Sequence, residues 1–325
     1  MAVGGETDRL FDLASLTKPM MAVAFAVAGL DRTTTLGAVC PELRGTASEH
    51  VSLELLVSHR AGLMAHIPVY HPLALGQAID VLHALRTAAD SRRDDASGSP
   101  PAAGFPPVYS DLGYALAGYA LARHVQTRDA GEAIDRLVVS KLGLLEELGT
   151  ARDLEARGVD VVARAAPTEE VSWRGGLVRG RVHDENAWAL TGAGGSGHAG
   201  MFGTVGAVLR FGEAVTDGLL GHGPFAPHDL GWLVSERPGG TLRAGFDGKS
   251  EQGSSAGARF GPRSFGHLGF TGTSVWMDPD ASLVAVLLTN RVYPSRTRAL
   301  VAIKRERPRA HDALHAYAAS LREPV

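Results

Sequence analysis

The sequence predicts a mixed α/β fold, an antiparallel sheet flanked by helices, on three observations. Helical patterns occupy the early and middle chain, aromatic and β-branched runs suited to strands fall in the last quarter, and a further helical stripe closes the C-terminus. With 325 residues and 45% hydrophobic content, the chain has material for a substantial core in one large domain or two lobes.

The first element follows "FDLASLTKPM", residues 11–20. Pro19 stands where a first helical turn tolerates it, and the apolar run that follows suits a helix buried on most sides, which puts Ser15 at a helix N-terminus. The segment 87–107, rich in Asp, Arg, Ser, Gly and Pro, reads as a long surface loop. A helix resumes from Ala115 to His124. The glycine-rich "LTGAGGSGHAGMFG" is then an irregular segment leading to a helix near Val205 to Val215. "FGHLGFTGTSVWMD" and "SLVAVLLTN", separated by the turn-like "PDA", read as an antiparallel hairpin. Finally Ala310, Leu314, Tyr317 and Leu321 share one stripe of a helix suited to lying across the sheet.

Composition excludes several classes of function. The formal charge is −3 with both signs interspersed, so no broad basic field exists to attract nucleic acid or anionic lipid. The most apolar stretch, Met20 to Leu30, is shorter than the about 20 residues a membrane span needs. Cys40 is the single cysteine and has no internal disulfide partner. No signal peptide opens the sequence, so the compartment expected from the sequence as it stands is cytoplasmic; an upstream segment would reopen the periplasmic or secreted alternatives. The pattern carries no reading of oligomeric state.

Three segments carry chemistry. Ser15 and Lys18, three positions apart, share a helix face, so the amine can reach the hydroxyl while the free N–H groups of the helix start favour negative charge. The competing reading makes Ser15 a cap and Lys18 a solvated surface group. For Lys18 to act as a base it must lose its proton, and burial among the flanking apolar residues is expected to lower its pKa. In "VYSDLGYALAGYAL", Tyr109 precedes a helix capped by Ser110 or Asp111; alternatively it is a core aromatic. In "GHLGFTGTS", His267 opens a strand, and Gly269 removes a side chain so that a substrate backbone can lie against the strand edge. His183, Asp184 and His198, like His59, His66 and His71, lack metal-ligand spacing and read as loop contacts. No metal or cofactor is expected.

In this order, S-L-T-K at 15–18, Y-S-D at 109–111 and H-L-G at 267–269 resemble the motifs of the serine β-lactamase and penicillin-binding protein family. The branch is the one similar to class C β-lactamases and their esterase and D-peptidase relatives, in which a tyrosine opens the middle motif and a histidine replaces the third-motif lysine of the class A pattern. "LVSHRAGL" at 56–63, "GRVHDENAWAL" at 180–190, "GHAGMFGT" at 197–204 and "LLTNRVYPSR" at 287–296 are also similar to this branch, so the resemblance spans nearly the whole chain.

The resemblance implies a β-lactamase/transpeptidase-like fold: an α/β lobe of residues 1–34 and 238–325, with a mostly helical lobe, 35–237, inserted between them. Ser15 and Tyr109 would meet at the junction. It implies a metal-independent serine hydrolase that cleaves an ester, an amide or a D-amino-acid peptide through an acyl-enzyme, with β-lactams a weaker candidate. Lys18 and Tyr109 would share the proton handling, either one taking the serine proton. His267 would orient substrate or support Tyr109, and the backbone N–H groups of Ser15 and Phe270 would hold the oxyanion. Because histidine carries less charge than lysine at neutral pH, His267 argues against a carboxylate-bearing substrate.

Two departures stand out. Asp111 replaces the asparagine common at its position and cannot donate an amide's hydrogen bonds; it pairs with Lys18 or caps its helix instead. Relatives begin with a helix and two strands before the S-x-x-K helix, whereas fourteen residues precede Ser15, so an internal start methionine or a truncated gene is expected. The strand "LVAVLL" would then expose an apolar edge. The rival to an enzyme is a binding protein that keeps the pocket and has lost turnover. The loops 65–107 and 239–263, irregular in pattern, leave substrate specificity unread.

Overall fold

The computed structural model describes residues 3–321. Its larger sheet has four antiparallel strands in the order Asp247–Gly248, Phe265–Leu268, Ser274–Asp278 and Leu283–Leu287. The expected late hairpin is therefore present, extended by His267's own strand, in which His267 lies opposite Val275. Ser274–Asp278 is buried at every position, as a central strand covered on both faces must be.

One face is covered by the helix Val205–Leu219, which comes so close that a Cβ at Gly212 would stand 2.6 Å from Val284. The other carries the helix Leu300–Ser320. Its buried stripe differs from the expected one. Ile303, Arg307 and His311 face inward and Leu314 packs near Trp276 and Ala285, while Tyr317 and Leu321 are 53% and 62% exposed. Two inward positions are polar because they have partners: His311 bonds the Ser274 hydroxyl and the Ser255 carbonyl, and Arg307 bonds two carbonyls at the end of the His267 strand. A stripe read from apolar residues alone misses them. Leu283–Leu287 forms one end of the sheet with both faces covered.

A second sheet joins Phe11–Asp12, Met201–Gly203 and Leu148–Thr150, with Met201–Gly203 in the middle. At two or three residues these strands are too short for any alternation to register. They matter because they fix both the turn before Ser15 and the end of the glycine-rich segment. That segment is packed tightly: a Cβ at Gly197 would lie 2.0 Å from the Tyr114 carbonyl oxygen, so glycine alone lets it cross the helix Asp111–Val125.

The helix Thr17–Val27 is buried from Thr17 through Phe25. Fully burying Met20, Met21, Val23 and Phe25 yields about 1.5–3 kcal/mol each. That anchors a helix which also carries a buried ammonium, whose desolvation costs several kcal/mol. Within the stretch read as irregular, 65–107, a helix spans Val81–Asp90, capped by Asp80 accepting from the His83 amide. No described helix is long and apolar enough to cross a membrane.

Candidate active site

Ser15 lies in a short 3-10 turn, Ala14–Leu16, just ahead of the Thr17–Val27 helix. The turn is held from three sides. Buried Asp12 accepts from the amides of Ala14 (2.8 Å) and His183 (2.7 Å), Thr271 donates to the Asp12 carbonyl, and Thr273 to that of Leu13. Ala14 adopts φ of +48°, a conformation L-residues rarely take, so this anchoring forces an otherwise unfavourable turn. Burial lifts the Asp12 carboxyl to about 6 despite its two amide donors. The helix N-cap is Leu16 with no side-chain bond, so Ser15 does not cap.

Lys18 is fully buried, not solvated. Its Nζ donates to Ser15 Oγ at 3.0 Å, to Asp111 Oδ1 at 2.6 Å and to the His198 carbonyl at 3.3 Å. The His198 carbonyl arrives there because the glycine-rich segment packs so closely. Tyr109 closes the group, with Nζ 4.7 Å from its ring centre and with Lys18 and Ser15 both easing the ionisation of its phenol. His59 stacks on the Tyr109 ring at 4.7 Å and His267 lies 5.9 Å from it on a tilted plane. The sequence-singled Ser15, Lys18, Tyr109 and Asp111 thus form one cluster.

The charge state differs from the sequence expectation. Burial pulls Lys18 down as anticipated, but the Asp111 carboxylate, and then Tyr109, outweigh it and hold the ammonium above its ordinary range. Burial pushes the Tyr109 phenol up, only partly opposed by Lys18. Asp111 resists burial through Lys18 and stays well below the usual carboxylate range. Asp111 therefore takes the pairing role, and Ser110 caps the helix, accepting from the Gly113 amide.

The third motif is also rearranged. His267 is 5% exposed, sits behind the cleft wall and donates from Nδ1 to the Leu268 carbonyl at 2.8 Å. Burial, then Lys18, bring it down to about 3, so it is neutral. Gly269 does line the cleft, but the space a Cβ would need is filled by Thr273 Oγ1 at 1.9 Å and the Leu13 carbonyl at 2.6 Å. Close approach of the Ser15 turn, not of a substrate, requires glycine there. The amides of Ser15 and Phe270 have no protein acceptor among the described residues.

These groups open onto a cleft of about 400 Å³. Asp111, Asp184 and Glu185 line it, as do Arg296, which is ion-paired with Glu185, and three further cations, Arg291, Lys304 and Arg307. None of these three cations forms an ion pair among the described residues, and Arg307, 7% exposed, keeps its Nε without an acceptor. His66 and Tyr70 stand on the cleft wall as well. Sequence reading missed these residues as functional, since a lone histidine or a helix arginine carries no spacing signal. His198, dismissed as a metal ligand, pairs through its ring with Asp184 at 3.0 Å.

The family model described as Beta-lactamase matches residues 5–306. The chain belongs to the beta-lactamase family. Among curated proteins it is similar to the putative D-alanyl-D-alanine carboxypeptidases of Salmonella enteritidis PT4 (26% identical over 211 residues) and Escherichia coli K12 (26% over 200). Each match takes in 57% of this chain and 45% of the relative, so the chain spans less than half of those proteins' length. Among solved structures, a β-lactamase from Mycobacterium bovis aligns at TM-score 0.61 with 21% identity, covering 98% of this chain and 90% of that one. A class C β-lactamase from Rhodobacter sphaeroides aligns at 0.65 with 17% identity, covering 95% and 87%. EstCE1, a hydrolase with promiscuous acyltransferase activity, aligns at 0.65 with 20% identity, covering 93% and 85%. These likenesses establish the beta-lactamase fold for the chain.

Proposed function

We propose that this beta-lactamase-family chain is a serine hydrolase whose nucleophile is Ser15 and whose preferred substrates are peptides ending in a D-amino-acid carboxylate. The observation that carries the reading is the hydrogen bond from a buried ammonium, Lys18, to Ser15 Oγ, with the Tyr109 ring beside that ammonium, at an open cleft that Ser15 and Tyr109 line.

The Ser15 oxygen attacks the scissile carbonyl carbon as its proton passes to Tyr109, which acts as the phenolate. The same proton then goes to the departing amine, leaving an acyl-enzyme. Lys18 stays an ammonium and stabilises the phenolate, its Nζ lying 4.7 Å from the centre of the Tyr109 ring. The free amides of Ser15 and Phe270 receive the developing oxyanion; loss of one such donor typically costs about 3–4 kcal/mol. His267 acts as a positioning residue behind the Tyr109 ring.

Arg307, buried with its Nε unpartnered, and Arg291 and Lys304 in the same cleft support an acidic substrate, because a buried cation without a carboxylate favours an anionic ligand. That outweighs the neutral His267 in the choice between a plain ester and a carboxylate-bearing peptide. It also accords with the names of the curated relatives. One observation favours the rival, a binding protein without turnover. With Lys18 held as ammonium and Tyr109 as phenol, neither acceptor is free at neutral pH.

Release of D-alanine from an acyl-D-alanyl-D-alanine peptide, followed between pH 7 and 10, tests the reading. Turnover that grows with pH and vanishes in Ser15→Ala is expected. Tight peptide binding without release at any pH favours the rival.

A further inference from the structure

The Phe270 N–H, taken above as an oxyanion donor, belongs to the peptide that joins Phe270 to Gly269, and the carbonyl of that peptide accepts from a cation. Arg307 Nη2 donates to the Gly269 oxygen at 2.6 Å and to the Thr273 oxygen at 3.0 Å. Those carbonyls stand at the two ends of the turn between the strands Phe265–Leu268 and Ser274–Asp278. Across the same turn Gly269 donates to the Thr273 carbonyl at 2.7 Å and accepts from the Gly272 amide at 3.1 Å. The guanidinium, carried by the helix Leu300–Ser320, thus grips the base of the turn whose tip holds Phe270.

Closing a turn needs no charge. A neutral donor satisfies a carbonyl, whereas a buried cation loses its hydration and, without a carboxylate, is not compensated. Arg307 is 7% exposed, its Nε is shut away from solvent with no acceptor, and it forms no ion pair among the described residues. Burial, then the neighbouring Arg291, bring it down to about 10, so it stays cationic at neutral pH. An unneutralised positive charge in the cleft that Ser15 lines is suited to a negative charge that develops only during reaction.

We propose that Arg307 is a positioning residue acting through the Gly269 carbonyl: its guanidinium orients and polarises the Gly269–Phe270 peptide, making the Phe270 N–H a stronger donor to the oxyanion formed when Ser15 attacks. This rests on the reading of Ser15 as nucleophile and of Phe270 as donor. A hydrogen bond to a carbonyl oxygen draws electrons from the amide nitrogen, and a charged donor draws more than a neutral one. One peptide therefore links the cation to the oxyanion, from Nη2 to the Gly269 oxygen and across the amide to the Phe270 N–H.

The rest of the turn is fixed for the same purpose. Thr271 and Thr273 tie it to the carbonyls of Asp12 and Leu13, at 2.7 and 3.0 Å, so it keeps its place beside the Ser15 turn. On the other side of Phe270, Arg291 Nε donates to the Phe270 carbonyl at 2.7 Å and the Arg291 guanidinium lies 4.4 Å from the ring centre, while His183 stacks on that ring at 5.8 Å. With the peptides before and after it each held by an arginine, the Phe270 amide is set before substrate arrives, as oxyanion stabilisation requires.

A neutral ester separates this role from recognition of a substrate carboxylate. Arg307→Gln keeps a donor for the Gly269 carbonyl and removes the charge. In a variant shown by calorimetry to be folded, stopped-flow acylation by p-nitrophenyl acetate is expected to slow about tenfold or more, with the ester concentration for half-maximal rate unchanged. Arg307→Lys, the gentler change, keeps the charge and should hold the rate to within a few fold. A trifluoromethyl ketone, isotope-labelled at its carbonyl carbon, reports the oxyanion itself, because its tetrahedral adduct on Ser15 carries that oxygen. The pH midpoint at which the oxygen takes a proton, read by NMR, should move up in Arg307→Gln and return in Arg307→Lys, which a merely structural role would not produce. Unchanged acylation in Arg307→Gln, an unmoved midpoint, or a hundredfold loss in folded Arg307→Lys overturns the proposal while leaving Ser15 in place. Slowing confined to a carboxylate-bearing peptide overturns it as well and gives Arg307 to substrate binding alone. Ester hydrolysis that survives Ser15→Ala overturns the nucleophile reading, and this proposal with it.

Discussion

Replacing Asp111 by asparagine isolates the charge that holds Lys18 as an ammonium. At the observed 2.6 Å, two unit charges attract by about 6 kcal/mol with an effective dielectric near 20, which favours the ammonium. Asp111 is 22% exposed, and the new amide oxygen still accepts from Nζ, so only part of that attraction is lost and Lys18 moves down. Tyr109 moves the same way, because Asp111 also opposes the phenolate. The readout is the rate of Ser15 labelling by a fluorophosphonate, which reports the attack by the Ser15 hydroxyl alone. Wild-type labelling should climb well into the alkaline range. In Asp111→Asn the midpoint should move to lower pH, raising labelling at pH 7 about tenfold or more. An unchanged midpoint would refute the argument that Asp111 sets the proton inventory of the cluster.

The same pair predicts a pH dependence of stability. Lys18 is raised, so its contribution is fully present below the free-lysine value and lost as pH climbs through the folded one. Asp111 is lowered, so its contribution is present above the free-carboxylate value and lost as pH falls through the folded one. Calorimetry should therefore find Asp111→Asn destabilised at neutral pH, with the difference closing at both extremes. Lys304→Gln should lower the ratio of kcat/KM for an acyl-D-alanyl-D-alanine peptide over a neutral ester by about tenfold or more, the scale of one hydrogen bond to a charged group; an unchanged ratio would remove the cationic wall from substrate recognition. Gly269→Ala drives a methyl into Thr273 and the Leu13 carbonyl, so Tm should drop and labelling fail together.

Much of the site was legible because its chemistry is local. Ser15 and Lys18 are one helical turn apart, and Tyr109 precedes a helix whose start is plain from Ser110 and the apolar run behind it. The late strands declared themselves by Val275, Trp276, Val284 and Val286. What stayed hidden depends on contacts between residues far apart in the chain. The choice of Asp111 between cap and ion pair is made by Lys18, which lies 93 positions away. The direction of the Lys18 shift follows from that choice, so burial alone gave the wrong sign. Arg307 and His311 occupy inward positions of the last helix because carbonyls and Ser274 await them, a fact no hydrophobic pattern carries. Gly269 was read as room for a substrate, but the room is taken by the Ser15 turn. His66 stands in a loop with no periodicity, and only folding brings it to Asp111.

One reaction tests the role of Ser15 most directly. The chain is mixed with a fluorophosphonate at alkaline pH, digested, and its adduct mapped by mass spectrometry. A single adduct is expected, on the peptide carrying Ser15, absent when Ser15 is alanine. An adduct elsewhere, or one that persists without the Ser15 hydroxyl, would contradict it.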